Sequence, residues 1–591
     1  MNHYEYIIVG AGPAGLQMAY FLEQAGRSYV VLEKAEAAGD FFAKFPRHRT
    51  LISINKVYNW FSEPDFNLRY DWNSLITNDS SLLFTDYSKK IFPNADILVK
   101  YLHDFAEKFA LRIQYNTTVT WIDREAEGDR NFVLTDQNGA QYTSRCLFMA
   151  NGAVKPNIPM GIEGIENIEG YEVHDPAPER FTNKRVLIMG IGNTAFEIAD
   201  CLAEYAATVQ IYTGGRQIKH AWQTHFVGDL RAINNGILDM AQLKMPHLVS
   251  GASVRKVEKN PDGTFKVYYE EEVPHWAVPG TMKGVATYDA VIRATGWKYI
   301  DKSIFAPRVL PETDAKGKFP VMASNWESSV PDMFFIGAAM ANNDRKTTPG
   351  FIHGFRYNVR TVFHLAEQRY NNVPLPVRTM PLTTPQELEE FVTAMLTRVS
   401  TTSALYQMFG VLGEVLAFDK GEVKWYPELP MKYALAQPEF AGAENLMTVT
   451  LELGFDSFAK NTDSLSFIHP NDPAGRGRCT AFIHPVFRRY SKGELVGETH
   501  LQSGVFVRYD EPNAQFSTEF DKEKPRNVFF NLVNAIVGVT TEIRDVKTFM
   551  TEGESGIFEP WPEGKTYDGP PLPVCNVTHG GNYVPSLADY R

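Results

Sequence analysis

Twice in this chain an apolar strand runs straight into a glycine-punctuated turn. Tyr6-Ile7-Ile8-Val9 leads into Gly10-Ala11-Gly12-Pro13-Ala14-Gly15, and Val186-Leu187-Ile188-Met189 leads into Gly190-Ile191-Gly192-Asn193-Thr194-Ala195. In such a turn the first glycine admits the tight bend and the second lets backbone approach a diphosphate. The third, Ala195 in the second copy, lets the next helix pack against its strand. That helix starts with unpaired amides aimed at the phosphates. Two such units hold two dinucleotides at once, the equipment of a flavoprotein reduced by a nicotinamide.

The two turns lead to different strand ends. After the first, the strand Tyr29-Val30-Val31-Leu32 ends in Glu33. That carboxylate lies at the offset expected for a ribose diol. We therefore assign FAD to the first unit, with Gly10, Gly12, Gly15 and Glu33 as its binding residues. After the second, Thr208-Val209-Gln210-Ile211-Tyr212 leads to Thr213-Gly214-Gly215-Arg216, with no acid at the strand end. A guanidinium fork suits a 2′-phosphate. The second unit is thus expected to take NADPH through Gly190, Gly192, Asn193 and Arg216, with Lys219 in the same basic stretch. A solvated loop arginine is the alternative for Arg216.

Three more apolar strands end in glycine: Leu147-Phe148-Met149-Ala150-Asn151-Gly152, Val291-Ile292-Arg293-Ala294-Thr295-Gly296 and Phe334-Phe335-Ile336-Gly337. Their order predicts a nicotinamide domain inserted in a flavin domain, with Thr295, Gly296 and Gly337 added to the cofactor residues. The fold class expected is α/β, with two Rossmann-like dinucleotide-binding domains. The FAD domain spans 1–165 and 290–375, the NADPH domain 166–289, and an α+β C-terminal extension 376–591. The stretch from Trp222 to Leu243 reads as helical. Pro374 to Pro385 reads as a linker, Glu387 to Leu412 as helix and Leu446 to Leu453 as a strand.

A chain of 591 residues is too long for one core. Its net charge of −12 argues against nucleic acid. It has no run of about 18 apolar residues, so no membrane span is expected. Met1-Asn2-His3-Tyr4-Glu5 runs into a strand without a basic flank or a cleavable apolar segment. The four cysteines, Cys146, Cys201, Cys479 and Cys575, make neither a Cys-x-x-Cys pair nor zinc-ligand spacing. We therefore expect no metal, no dithiol–disulfide chemistry at the flavin, and a cytoplasmic location. A homodimer contact by the extension stays open.

Gly161-Ile162-Glu163-Gly164-Ile165-Glu166, Gly170-Tyr171-Glu172-Val173-His174, Pro178-Glu179-Arg180-Phe181 and Lys184-Arg185-Val186 together resemble the identifying sequence of class B flavin-dependent monooxygenases. Asp175-Pro176-Ala177 departs from that pattern. A closer resemblance, to the endoplasmic-reticulum flavoproteins associated with degradation, rests on Phe45-Pro46-Arg47-His48-Arg49, Leu51-Ile52-Ser53-Ile54-Asn55-Lys56, Phe66 to Leu75 and Val227 to Gly236. Without a leader or a retention signal, the chain is expected to be a soluble bacterial relative.

The resemblance implies oxidation of a small molecule by O2 through a flavin C4a-hydroperoxide, with NADPH as reductant. It places Asn55 by the flavin, its amide donating to the peroxide; an asparagine satisfying loop backbone is the alternative. The same adduct serves single-component flavin halogenases, which brominate phenolic or other aromatic substrates. That rival needs a halide and a lysine, for which Lys219 and Lys56 stand as candidates. A third reading is a redox-regulated flavoprotein binding module.

Overall fold

Val186 and Ile188 pack into one apolar cluster, and Leu187 and Met189 into another. Alternate side chains of a strand point to opposite faces, so the sheet built on this strand is covered on both. Such burial is what a parallel sheet requires. The computed structural model describes residues 2–59, 61–125, 131–218, 226–273, 280–453, 483–501, 508–509, 523–542 and 544. They divide into one unit of Met1–Val57, Asn73–Ala323 and Glu327–Lys346, and a second of Tyr58–Trp72, Ser324–Trp326 and Thr347–Arg591.

The first unit holds two sheets with parallel cores. In one, Asn2–Val9 lies between Tyr29–Leu32 and Gln141–Met149, pairing Tyr6 with Tyr29 and with Cys146. Met333–Phe335 joins it parallel to Leu147–Met149. Phe132–Asp136 and Val119–Arg124 extend it antiparallel. In the other, Arg185–Met189 lies between Thr208–Tyr212 and Ala290–Arg293, all parallel. A three-stranded antiparallel sheet of Ser253–Lys259, Phe265–Val273 and Gly280–Tyr288 shares the apolar cluster of Leu187 and Met189. The chain leaves the first sheet after Met149 and rejoins it at Met333. The two connecting passages pair with each other, Pro156 against Trp297. The α/β architecture with two Rossmann-like units is therefore as the sequence predicts.

The second unit carries a six-stranded sheet in the order Arg378–Pro381, Glu422–Pro430, Leu412–Asp419, Leu446–Glu452, His484–Ser491, Glu494–His500. Every pairing in it is antiparallel. Helix Pro385–Thr401 opens on a capping box, Thr384 accepting from the Glu387 amide at 3.2 Å and Glu387 accepting from the Thr384 amide at 3.0 Å. Its Phe391 packs on Phe529 of helix Glu523–Val537, and Phe529 on Phe487 of the sheet. This is the α+β extension.

Three local expectations change. Of the stretch Trp222 to Leu243 read as helical, residues 222–225 lie outside the described residues, and within 226–243 the α-helix is Gly236–Gln242, after a 3-10 turn at Ala232–Asn234. The proline-punctuated linker contains the edge strand Arg378–Pro381; its Pro381 is tolerated because an edge strand has one unpaired side. The helix read from Glu387 to Leu412 ends at Thr401, where Thr402 starts a new short helix by accepting from the Leu405 amide. No helix among the described residues is long and apolar enough to cross a membrane.

Candidate active site

At the first glycine turn the steric roles are visible. Gly10 has φ +106°, and a Cβ there would sit 2.7 Å from the Ala150 carbonyl oxygen. A Cβ on Gly15 would sit 1.9 Å from the Gly10 carbonyl oxygen. A Cβ on Gly12 would meet nothing within 4 Å. So two glycines let backbone pack on backbone, and the middle one faces an open cradle at the start of helix Pro13–Gln24. Glu33 is buried at the end of Tyr29–Leu32. Its carboxylate accepts from the Ala11 amide at 2.6 Å and the Ala35 amide at 2.8 Å. It thereby fixes the turn and keeps further lone pairs for a ribose diol. Gly337, at φ +83°, lies against the first turn of the same helix, its Cβ position 2.8 Å from that of Ala14.

The second turn repeats the pattern. A Cβ on Gly190 would lie 2.4 Å from the Ala294 carbonyl oxygen, whereas one on Gly192 meets nothing within 4 Å. Both turns thus fit a diphosphate. Asn193 starts the helix Asn193–Leu202, and its side chain is fully engaged. Its amide donates to the Asp229 carbonyl at 2.8 Å, and its oxygen accepts from the Arg231 amide at 2.9 Å and from Asn234 at 3.1 Å. The residue therefore holds the Gly228–Asn234 segment beside the turn. Arg216 is exposed after strand Thr208–Tyr212, its Nε donating to the Thr213 carbonyl at 3.3 Å. Lys219, with His220 and His225, lies outside the described residues.

Thr295 and Gly296 shape the crossing between the sheets. The Thr295 hydroxyl donates to the Asn157 carbonyl at 2.6 Å, and the Asn157 amide donates to the Thr295 carbonyl at 3.2 Å. Gly296 turns the chain at φ +80°.

Asn55 is 1% exposed. Its Nδ2 donates to the Ser88 carbonyl at 2.6 Å and to the Lys90 carbonyl at 3.3 Å. Two carbonyls on one side fix the amide orientation, since a flip would set oxygen against oxygen. Oδ1 is buried without a hydrogen-bond partner among the described residues. A buried acceptor left so costs about 1–3 kcal/mol, and an N–H on a bound ring or carboxamide would relieve it. The free atom is thus an acceptor, while the donors already serve backbone. Lys56 next to it is exposed.

Both arginines of the basic run Arg47-His48-Arg49 are engaged within the protein. Arg47 donates to the Tyr171 and Glu172 carbonyls, and Arg49 pairs with Asp96 at 2.6 Å. Burial, then the neighbouring His174, lower the His48 imidazole to about 4. It carries no charge to offer a phosphate, although its Nε2 is buried without a hydrogen-bond partner among the described residues.

Motif spacing gave no sign of Arg231, whose Nη1 donates to the Ile52 carbonyl at 2.9 Å and ties the Asn193-anchored segment to the stretch carrying Asn55. It gave none of Glu197 either, whose carboxyl burial pushes up to about 7. Arg231 acts through a partner distant in the chain, and the burial of Glu197 is set by the packing of the fold. Among the described residues neither Cys146 nor Cys201 is in a disulfide, and no group of three His, Cys, Asp or Glu is placed to hold a metal.

Residues 7–337 match the family described as pyridine nucleotide-disulphide oxidoreductase. The FAD-dependent oxidoreductase domain-containing protein 2 of Mus musculus is 36% identical over 522 residues, which span 83% of this chain and 76% of that protein. Indole-3-pyruvate monooxygenase YUCCA8 of rice is 28% identical over 215 residues, 34% of this chain and 46% of that protein. Among solved structures, the bacillithiol disulfide reductase of Staphylococcus aureus aligns at TM-score 0.47 and 17% identity, covering 63% of this chain and all of that one. Two cradled glycine turns and a match across more than half its length make this chain a member of the pyridine nucleotide-disulphide oxidoreductase family, an oxidoreductase working with FAD and a pyridine nucleotide.

Proposed function

We propose that this protein is an NADPH-dependent FAD monooxygenase that oxidises a small aromatic substrate with O2. The observation that carries the reading is the buried, unpartnered Oδ1 of Asn55. FAD, when bound, supplies two-electron transfer from the reductant to O2. The chain's own groups bind and orient. Gly10, Gly12, Gly15 and Glu33 receive the flavin nucleotide. Gly190, Gly192 and Arg216 receive the phosphorylated reductant, and Asn193 holds the adjoining segment. Asn55 would offer its unpartnered Oδ1 to an N–H of the bound ring system. The similarity to an indole-3-pyruvate monooxygenase supports oxygenation, as does the absence of any Cys-x-x-Cys pair from the sequence.

The test is turnover of a panel of phenols, indoles and amines with NADPH and O2, with and without bromide, read by mass spectrometry. A gain of one oxygen atom is expected. A product that forms only with bromide would overturn oxygenation in favour of halogenation, and NADPH oxidation with no organic product would favour a binding module.

Two variants bear on the site. Arg216→Ala is expected to raise the Michaelis constant for NADPH about tenfold, equivalent to about 1.4 kcal/mol, and to leave that for NADH within about twofold. An equal rise for both nucleotides would remove Arg216 from 2′-phosphate recognition. Asn55→Leu keeps the branched shape and loses both the acceptor and the donors to the Ser88 and Lys90 carbonyls. It is expected to raise the H2O2 released per NADPH consumed about fivefold, with FAD content unchanged; an unchanged ratio would exclude Asn55 from the reacting site.

A further inference from the structure

The strands Thr208–Tyr212, Arg185–Met189 and Ala290–Arg293 are parallel and adjacent in that order. Their C-terminal ends share one edge, outside which a dinucleotide lies. The middle strand brings the open turn at Gly192 to that edge. Arg216 stands on one side of it. On the other side the chain turns through exposed Gly296, where a Cβ would have a single neighbour within 4 Å, the Lys318 ammonium at 3.9 Å. Lys318 also lies 5.3 Å from the Phe319 ring centroid, and the Arg345 guanidinium lies 5.1 Å from the same centroid. Phe319 is buried and stacked on Tyr299 at 4.5 Å and 12°. A fixed aromatic plate therefore holds two cations together beside the crevice.

We propose that Lys318 and Arg345 form a second phosphate-binding edge of the nucleotide crevice, gripping the diphosphate shared by all pyridine dinucleotides while Arg216 reads the 2′-phosphate. The assignment rests on the second unit being the pyridine-nucleotide site.

Charge supports it. Among the described residues neither Lys318, Arg345 nor Arg216 has a carboxylate within salt-bridge distance. The nearby Asp314 caps its own turn, accepting from the Lys318 and Phe319 amides at 2.6 and 3.2 Å. Burial, then Arg345, lower the Lys318 ammonium, with Arg216 adding to the effect. Asp314 opposes this lowering and Lys316 adds to it, so the cations there outnumber the one nearby carboxylate and leave a local positive field that an anion relieves. A phosphate accepts from both a guanidinium fork and an ammonium.

The experiment is calorimetric titration of the FAD-loaded protein with NADP+, NAD+ and 2′,5′-ADP. Lys318→Met and Arg345→Met keep most of the aliphatic contact on Phe319. Each is expected to weaken NADP+ and NAD+ alike by about tenfold, the effect of one charge-assisted hydrogen bond. Arg216→Ala is expected to weaken NADP+ and 2′,5′-ADP and spare NAD+. Lys318→Arg should restore binding to within about threefold if charge is the cause. Affinities of the double Met variant within twofold of the parent would overturn the proposal. So would a loss confined to NADP+, which would make these residues 2′-phosphate readers. Parent protein that takes up FAD but binds none of the three nucleotides would fail the underlying reading instead, and is told apart because the parent itself is silent.

Discussion

Gly15→Ala is expected to yield colourless protein. The added methyl would lie 1.9 Å from the Gly10 carbonyl oxygen and 3.4 Å from the Ala150 Cβ. Neither neighbour can yield. The Gly10 amide donates to Leu32 at 2.9 Å, and Gly10 itself presses on Ala150. The start of the helix must therefore move outward by about an ångström, which takes its amides out of reach of the phosphates. Overpacking of this kind costs about 1–3 kcal/mol or more in stability. The loss in FAD affinity should reach about a hundredfold, or about 2.7 kcal/mol. The ratio of flavin to protein absorbance after purification gives the answer, and titration with FAD gives the size. Gly12→Ala is the control, since its methyl meets only open space. It should lose flavin as well, by filling the cradle, but without lowering the melting temperature of the flavin-free protein. Stoichiometric yellow Gly15→Ala protein would contradict the steric account.

In the second unit the largest effect is on stability. Arg398 donates to Glu414 at 2.9 Å, to Glu428 at 2.6 Å and to Asp65 at 3.3 Å. Arg360 also pairs with Glu428. The Glu414 side chain is fully buried. Arg398→Met would leave these carboxylates short of charge, at a cost of about 3–5 kcal/mol. A drop in melting temperature of about 10 °C should follow, at about 2–4 °C per kcal/mol for a domain of this size.

The pH dependence has a definite sign. Burial alone would raise the Glu428 carboxyl, but Arg360 and Arg398 outweigh it and hold it near 2, against an ordinary 4.5. A lowered folded value means that this carboxylate contributes stability above about pH 4.5, lost as the pH falls towards 2. Glu414 is raised by burial in spite of Arg398, so its ionisation opposes folding as the pH rises. Removing Arg398 moves both carboxyls upward. The gap in melting temperature between parent and variant should therefore be widest near pH 7.5 and narrow towards pH 4.5. Equal gaps at both pH values would show that the loss is one of packing rather than charge. A double variant, Arg398→Met with Glu414→Gln, should recover part of the stability, because the buried Glu414 site is then neutral while Arg360 still pairs with Glu428.

How far the sequence could be read depended on the range of the interactions. The glycine turns and Glu33 were legible because strand, turn, helix and acid succeed one another within about 30 residues, and their sterics are local. The same locality misled over the described part of the predicted helix, residues 226–243. Asn193, distant in the chain, fastens the Gly228–Asn234 segment as a loop through both ends of its amide. Arg378–Pro381 passed for linker because its prolines are conspicuous, whereas the partner that makes it a strand, Glu422–Pro430, lies about 40 positions on. That Arg47 and Arg49 are taken up by Tyr171, Glu172 and Asp96 could not be read from the run of basic residues itself, because those partners lie about 50 to 125 positions away.

The sequence by itself determined that this chain builds two dinucleotide cradles, since hard-sphere contact around a glycine leaves the backbone little choice. Which end of the Asn55 amide is free, what Asn193 holds, and where Lys318 and Arg345 gather beside Gly296 were decided only by the tertiary structure. Hydrogen-bond partners and charge neighbours are set by closeness in space, and strands or segments that meet in a sheet are often remote in the chain.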